Sequence, residues 1–371
     1  MTSHIAHSLR PVTDDYQTGG FFFSSPSGVL LADSLGESLT GQRIPTGALA
    51  VGALPFVDPA SSEATVPARL SIPDGVRRAE PLHIRPLPPH PGTGTHWIDQ
   101  HTDSDAYLTG VSRALELMAD GTLSKVVLAR TLELTAAEPI DLRRVLGALA
   151  ARDPHGYTFA TDVGGRTLIG TSPELLIRKT GDSVVSNPLA GSRPRSADPE
   201  SDGRNATELL ASAKDRAEHA HVVTAVADAL APFCLNLTVP SGPELLPTPA
   251  MWHLSTRITG ELRADVTSLE LASALHPTPA VCGVPMTTAR TVISELEPFA
   301  RDYYTGLVGW MDEHGDGEWI IALRCGEVHD RTLRLYAGAG IVPGSTPESE
   351  LAETSAKFRT FLGALGIQEA R

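Results

Sequence analysis

The sequence predicts an antiparallel α+β fold and not a doubly wound parallel sheet. Three observations point there. Short apolar runs bounded by Gly, Pro and Ser recur along the chain. Several come as hairpin pairs, and strands and helices do not alternate in the βαβ rhythm of a parallel sheet. With 371 residues, 41% hydrophobic and 20% charged, the chain is long and apolar enough for a large core. Its composition is that of an ordinary globular protein, without a solenoid-type repeat.

Residues 1–100 read as a strand-rich part of this fold, with apolar runs at 21–23, 29–32 and 48–56. Pro81, Pro86, Pro88, Pro89 and Pro91, with Gly92 and Gly94, then form a connector, because each proline removes a donor and restricts its predecessor. A helix follows: Tyr107, Val111, Ala114, Leu115 and Met118 recur at helical spacing behind Asp103 or Ser104, and Gly121 stops it. Residues 125–132 alternate as a strand, with Lys125, Val127 and Ala129 on one face. A helix is predicted over 141–152, and strands over 157–161, 166–170 and 175–178. The longest helical pattern is 207–233, with Asn205 as its cap. Beyond it the spacing predicts helices over 268–275 and 287–296. Strands over 306–311 and 319–324 should turn at Asp316-Gly317, and a third strand over 332–337 should extend that meander. A last helix opens at Thr346-Pro347, with Thr346 as cap, and runs to about 365.

Thirty Lys and Arg against 44 Asp and Glu give a net charge of −14, which disfavours a nucleic acid partner. Cys234, Cys282 and Cys325 are widely spaced and form no metal-binding or disulfide pattern, which suggests a reducing cytoplasm. The first 31 residues lack a basic, then apolar leader, and no run approaches a membrane span. No long amphipathic seam calls for obligate assembly, so a monomer is expected.

Chemistry is concentrated in a few places. On the last helix Glu350, Glu353 and Lys357 share one stripe, and on the long middle helix Asp215 and Glu218 share another. If the two meet, up to four carboxylates converge, which calls for a cation; oxygen-only ligands point to Mg²⁺. Solvated helix faces with surface ion pairs would look the same. His219 and His221, two apart on a helix, point different ways and make no zinc pair. Lys125 opens an apolar strand and, partly desolvated, could serve as a general base, or it could reach solvent. Glu174 after Ser172-Pro173 is either a buried acid or a turn carboxylate, and Arg324 either clamps a carboxylate or pairs with an acid. Gly338, Gly340 and Gly344 miss dinucleotide-binding spacing, but glycines after a strand let backbone amides approach an anion.

Several motifs, in order from about 105 to 365, resemble the chorismate-utilising enzymes. They are SKVVLAR at 124–130, GTSPELL at 170–176, PLAGSR at 188–193, LHPTPAVCGVP at 275–285, GEW at 317–319, AGAGIV at 337–342 and the terminal Glu350 to Lys357 segment. The resemblance is strongest to isochorismate synthases of the siderophore type, which make the precursor of 2,3-dihydroxybenzoate. It implies one large domain with an antiparallel β-sandwich core, helices packed outside and the site in a cleft between the sheets, in which residues 101–371 form the catalytic region. It implies Lys125 as the base activating water at C2 of chorismate and Glu174 as the acid for the departing C4 hydroxyl. Glu218 and Glu353 are then the principal Mg²⁺ ligands, supported by Asp215 and Glu350. Arg324 and Tyr304 should bind the enolpyruvyl carboxylate. Gly191, Ser192, Gly338, Gly340 and Lys357 should line the anion pocket, with His253 beside the ring.

Within that family, ammonia-using members generally lack the lysine and borrow a glutaminase subunit, so Lys125 implies water as nucleophile and no such partner. Salicylate synthases keep the lysine but commonly carry Thr where this chain has Ala280, so release of isochorismate is expected. A salicylate synthase and a non-catalytic chorismate-binding protein are the alternatives. The product could serve siderophore or menaquinone synthesis alike.

Overall fold

The computed structural model describes residues 3–4, 11–39, 44–57, 66–84, 87 and 93–367. The central strands are buried on both faces: two large sheets pack against each other, and helices cover their outer sides. The central strands of the first sheet run in the order Gly28–Ala32, Phe21–Ser25, Tyr157–Asp162, Thr167–Ser172, Cys325–His329, Thr332–Ile341 and Lys125–Ala136. The second runs Cys234–Thr238, Ile258–Leu262, Ser183–Asn187, Leu175–Thr180, Gly317–Ile321, Leu307–Asp312, Leu49–Leu54 and Arg69–Ile72. Leu189–Pro194, Met251–Ser255 and Glu244–Pro247 form a third, small sheet. These central pairings are antiparallel, as in the register Thr332↔Thr135 to Ile341↔Val126. Phe21, Phe23, Phe159 and Leu168 of the first sheet meet Val51, Val308 and Ile320 of the second. Each such buried side chain stabilises by roughly 1.5–3 kcal/mol.

Seven helices are described: α1 (Ser104–Ala119), α2 (Leu142–Arg152), α3 (Pro199–Ala211), α4 (Ala213–Leu230), α5 (Ser268–Leu275), α6 (Met286–Leu296) and α7 (Pro347–Leu365). α2 and α7 cover the first sheet through Val145, Leu146, Leu149, Phe358, Phe361 and Leu362. α4 and α5 cover the second through Val222, Val226, Leu230, Leu271 and Leu275. α7 starts where expected: Thr346 and Ser349 form a capping box, Pro347 sits in the first turn, and Gly366 closes it at φ 76°. The result is the antiparallel sandwich with outer helices that the family resemblance implies. None of the described helices is long and apolar enough to cross a membrane. The three cysteines are buried and free.

Four expectations are corrected. The helix predicted over 207–233 is two helices, because Ser212 adopts an extended conformation (φ −66°, ψ 114°) and its side chain accepts from Asp215 N. Asp198, not Asn205, caps the first of them; Asn205 instead donates to Pro194 O at 2.9 Å. The strand at 332–341 does not extend the hairpin meander. After Ile321 the chain leaves the second sheet, crosses through Ala322 to Arg324, and pairs in the first. The hairpin turn is also one step off: Gly315 carries the positive φ (73°), while Gly317 is already paired with Met311. A Cβ on Gly317 would come 2.2 Å from Trp310 O, so close strand approach is what needs this glycine. Within the predicted connector, Pro86, Pro88, Pro89, Pro91 and Gly92 lie outside the described residues.

Candidate active site

The site forms where the chain changes sheets, with α4 and α7 converging from outside. Lys125 begins the long strand, held by Thr332–Ile341 on one edge and Gly283–Val284 on the other. Its side chain is 1% exposed, so it does not reach solvent. Its Nζ lies 2.8 Å from Glu218 Oε1. Gly340 makes this approach feasible, since a Cβ there would stand 2.4 Å from that oxygen and 3.3 Å from Lys125 Cε.

Glu174 sits in the turn between Thr167–Ser172 and Leu175–Thr180. Ser172 Oγ pins that turn, donating to Ile321 O at 2.6 Å and accepting from Glu174 N at 3.2 Å. The carboxyl is buried, and Leu189 N donates to Oε1 at 3.3 Å. Burial pushes its pKa up to about 7, against the opposing pull of the Leu189 amide, Lys125, Arg324 and Lys357. Glu174 is thus a buried acid that holds a proton near neutral pH.

Arg324 lies at the sheet crossing with φ 47°, and Thr305, beside Tyr304, has φ 58°. These left-handed residues aim both side chains into the cleft instead of along a ladder. Arg324 Nη2 donates to His253 Nε2 at 3.4 Å. Burial, then Arg324 and Lys357, hold His253 well below the usual imidazole range, so it is neutral. The Tyr304 ring stacks on Tyr336 with centroids 4.9 Å apart. Lys357 Nζ donates to Gly338 O at 2.7 Å and pairs with Glu353 Oε1 at 2.7 Å, which also accepts from Ser192 Oγ at 3.1 Å. Gly191, at φ 78°, would place a Cβ 3.1 Å from that of Asp215, so α4 packs close here.

Thus Glu174, Gly191, Ser192, His253, Ala280, Tyr304, Arg324, Gly338, Gly340, Lys357, Asp215, Glu218 and Glu353 all line one cleft. Lys125 joins it through Glu218, whereas Glu350 stands behind, 2% exposed. Lys214, one helical turn before Glu218, also lines the cleft and lies 3.7 Å from Glu350 Oε1. It was missed, although its i, i+4 spacing to Glu218 places it on the same face. His219 is a core residue, with Nε2 2.7 Å from Thr256 Oγ1.

Among the described residues no three acidic, His or Cys side chains are arranged around a metal position. Lysines hold the carboxylates instead. The chemistry of the donors nevertheless suits a hard cation. Burial and then Glu353 raise Glu350, whose Oε2 is buried without a partner. Burial raises Asp215 too, with Glu218 adding to it. Acid left uncompensated in this way, all of it oxygen, fits Mg²⁺.

A cleft between antiparallel sheets, with a buried lysine, a protonated acid and several cations, suits a small anionic ring. The chain belongs to the chorismate binding enzyme family, which matches residues 79–366. It is 50% identical to isochorismate synthase DhbC of Bacillus subtilis (strain 168), over 95% of both chains. A crystal structure described as a 2,3-dihydroxybenzoate-specific isochorismate synthase, DhbC from Bacillus anthracis, superposes with a TM-score of 0.87 at 44% identity. It covers 96% of this chain and 99% of that one. Anthranilate synthase component I from Streptococcus pneumoniae shares the fold, with a TM-score of 0.70 at 20% identity over 95% and 90% of the two chains.

Proposed function

We propose that the protein is an isochorismate synthase, converting chorismate to isochorismate by adding water at C2 and expelling the C4 hydroxyl. The observation that carries this reading is Glu174, a buried carboxyl with pKa about 7 in the same cleft as the buried amine of Lys125. Lys125 takes the proton from the attacking water as the C2–O bond forms. The two ring double bonds shift toward C4, and its C–O bond breaks with the electron pair leaving on oxygen. Glu174 gives that oxygen its proton, so water departs and the acid is left as carboxylate. Arg324 and Tyr304 hold the enolpyruvyl carboxylate, Lys357 and the Gly338, Gly340, Gly191 and Ser192 walls the anionic pocket, and neutral His253 the ring edge. Ala280 forms part of the floor.

Glu218 and Glu353, with Asp215 and Glu350 in support, would hold Mg²⁺, which supplies positive charge for the ring carboxylate. Glu218 serves both roles, because it is also the partner of Lys125. The cleft residues, numbered 127 to 357, fall within the 101–371 region, with the strands of residues 1–100 completing both sheets. Water as nucleophile needs no glutaminase subunit; three free, unpaired cysteines are in keeping with a cytoplasmic enzyme, and the chain is large enough to act as a monomer. The likeness to DhbC proteins supports 2,3-dihydroxybenzoate and siderophore synthesis as the use of the product.

Incubating the protein with chorismate and Mg²⁺ and resolving products by chromatography should give isochorismate alone. Salicylate plus pyruvate would make it a salicylate synthase, and unchanged chorismate a binding protein.

A further inference from the structure

The outer edge of the strand Lys125–Ala136 has a gap. Gly283–Val284 pairs with Val126 and Lys125, and Val127 N still reaches Cys282 O at 2.7 Å. Trp97–Thr102 pairs again only from Leu132 onward. Among the described residues no strand pairs with this edge between them, so buried Val127 O and Ala129 N need other partners. Two side chains supply them. Glu297, just beyond α6, accepts from Ala129 N at 2.8 Å, and Arg301 Nη2 donates to Val127 O at 2.7 Å. The two also join each other, Arg301 Nε to Glu297 Oε2 at 2.8 Å and Nη2 to Oε1 at 2.6 Å.

Arg301 reaches further. Its Nη1 donates to Val281 O at 2.7 Å, beside Ala280, and lies 3.4 Å from Thr305 Oγ1, beside Tyr304. Phe56 covers the guanidinium at 4.7 Å. Arg301 is 4% exposed and Glu297 8%, and neither lines the cleft. Burying such a pair is costly, and apolar residues of similar volume would often stabilise a fold equally well. What an apolar plug lacks is directed hydrogen bonds to backbone on both sides.

We infer that Glu297 and Arg301 are positioning residues for the reaction: together they act as a surrogate strand that fixes the Lys125 strand against the Ala280 loop and the Tyr304 turn. The inference rests on the proposed function, so the wild-type product is read first. Arg301→Lys and Glu297→Gln should then lower kcat roughly 10- to 100-fold while KM for chorismate stays within about threefold and the fold is retained by circular dichroism. The double variant should fall no further than the worse single one, since the two act as a unit. If Arg301→Lys does not fold, Glu297→Gln, which keeps an acceptor for Ala129 N, carries the same test. A kcat within about twofold of wild type despite a lower melting temperature, a loss confined to KM, or losses that multiply would overturn the inference. Should the wild type leave chorismate untouched, the proposed function fails. Hydrogen exchange at 125–130 then decides the positioning alone: faster exchange in the variants supports it, and unchanged protection rejects it.

Discussion

Glu174 combines two costs that a surface carboxyl avoids: full burial and a proton retained to about pH 7. In the unfolded chain the same group ionises near its ordinary value of 4.5, so between 4.5 and 7 the unfolded state sheds its proton first. Its burial therefore lowers stability as pH rises through that window, and above it the full penalty of about 3 kcal/mol applies. Glu174→Gln, which cannot ionise, should abolish isochorismate formation at every pH. It should also melt at a higher temperature than wild type at pH 8, with the difference shrinking toward pH 5. An equal difference at both pH values, measured by calorimetry, would show that Glu174 carries no such penalty. In the wild type, kcat should decline on the alkaline side as the acid loses its proton around pH 7.

The break between α3 and α4 decides which side of α4 faces the cleft. Ser212 accepts from Asp215 N at 3.2 Å and so starts α4 with Asp215 and Glu218 directed inward. Removing that cap as Ser212→Ala should cost about 1 kcal/mol. It should also raise the Mg²⁺ concentration giving half-maximal activity, while Ser212→Thr keeps both near wild type; a metal titration followed by product formation checks this. Spacing within one element was legible in the sequence: the Glu350, Glu353 and Lys357 stripe and the Lys125 strand follow from periodicity. What spacing cannot convey is which elements meet. Ser212 reads as an ordinary helical residue, because a serine either continues a helix or caps a new one and tertiary contacts choose. Glu297 and Arg301 carry no signal in the sequence, because the gap they fill belongs to a strand some 170 residues earlier in the chain. Periodicity places Arg324 at the end of a strand, and only the crossing between sheets turns it into the cleft.

At the scale of the whole molecule a net charge of −14 surrounds a site meant for an anion. Screening over about 8 Å leaves the decision to local groups. There the cations Lys214, Arg324 and Lys357 stand against the four carboxyl groups of Asp215, Glu218, Glu350 and Glu353, three against four, because Lys125 must be an uncharged amine to act as the base, while Glu174 holds its proton and His253 is neutral. The pocket therefore gives a doubly negative ring no net attraction of its own. A bound divalent ion turns the balance positive and favours the substrate. The two ligands should consequently bind synergistically. By linkage, whatever factor Mg²⁺ adds to chorismate affinity, chorismate must add to Mg²⁺ affinity. Calorimetric titrations of a Glu174→Gln variant, which should bind without turnover, should show chorismate binding tightened about tenfold or more by saturating Mg²⁺, with the reciprocal titration giving the same factor. A chorismate affinity indifferent to Mg²⁺ would mean that the lysines alone neutralise the substrate. The four carboxylates would then serve to hold those lysines in place and not to bind a metal.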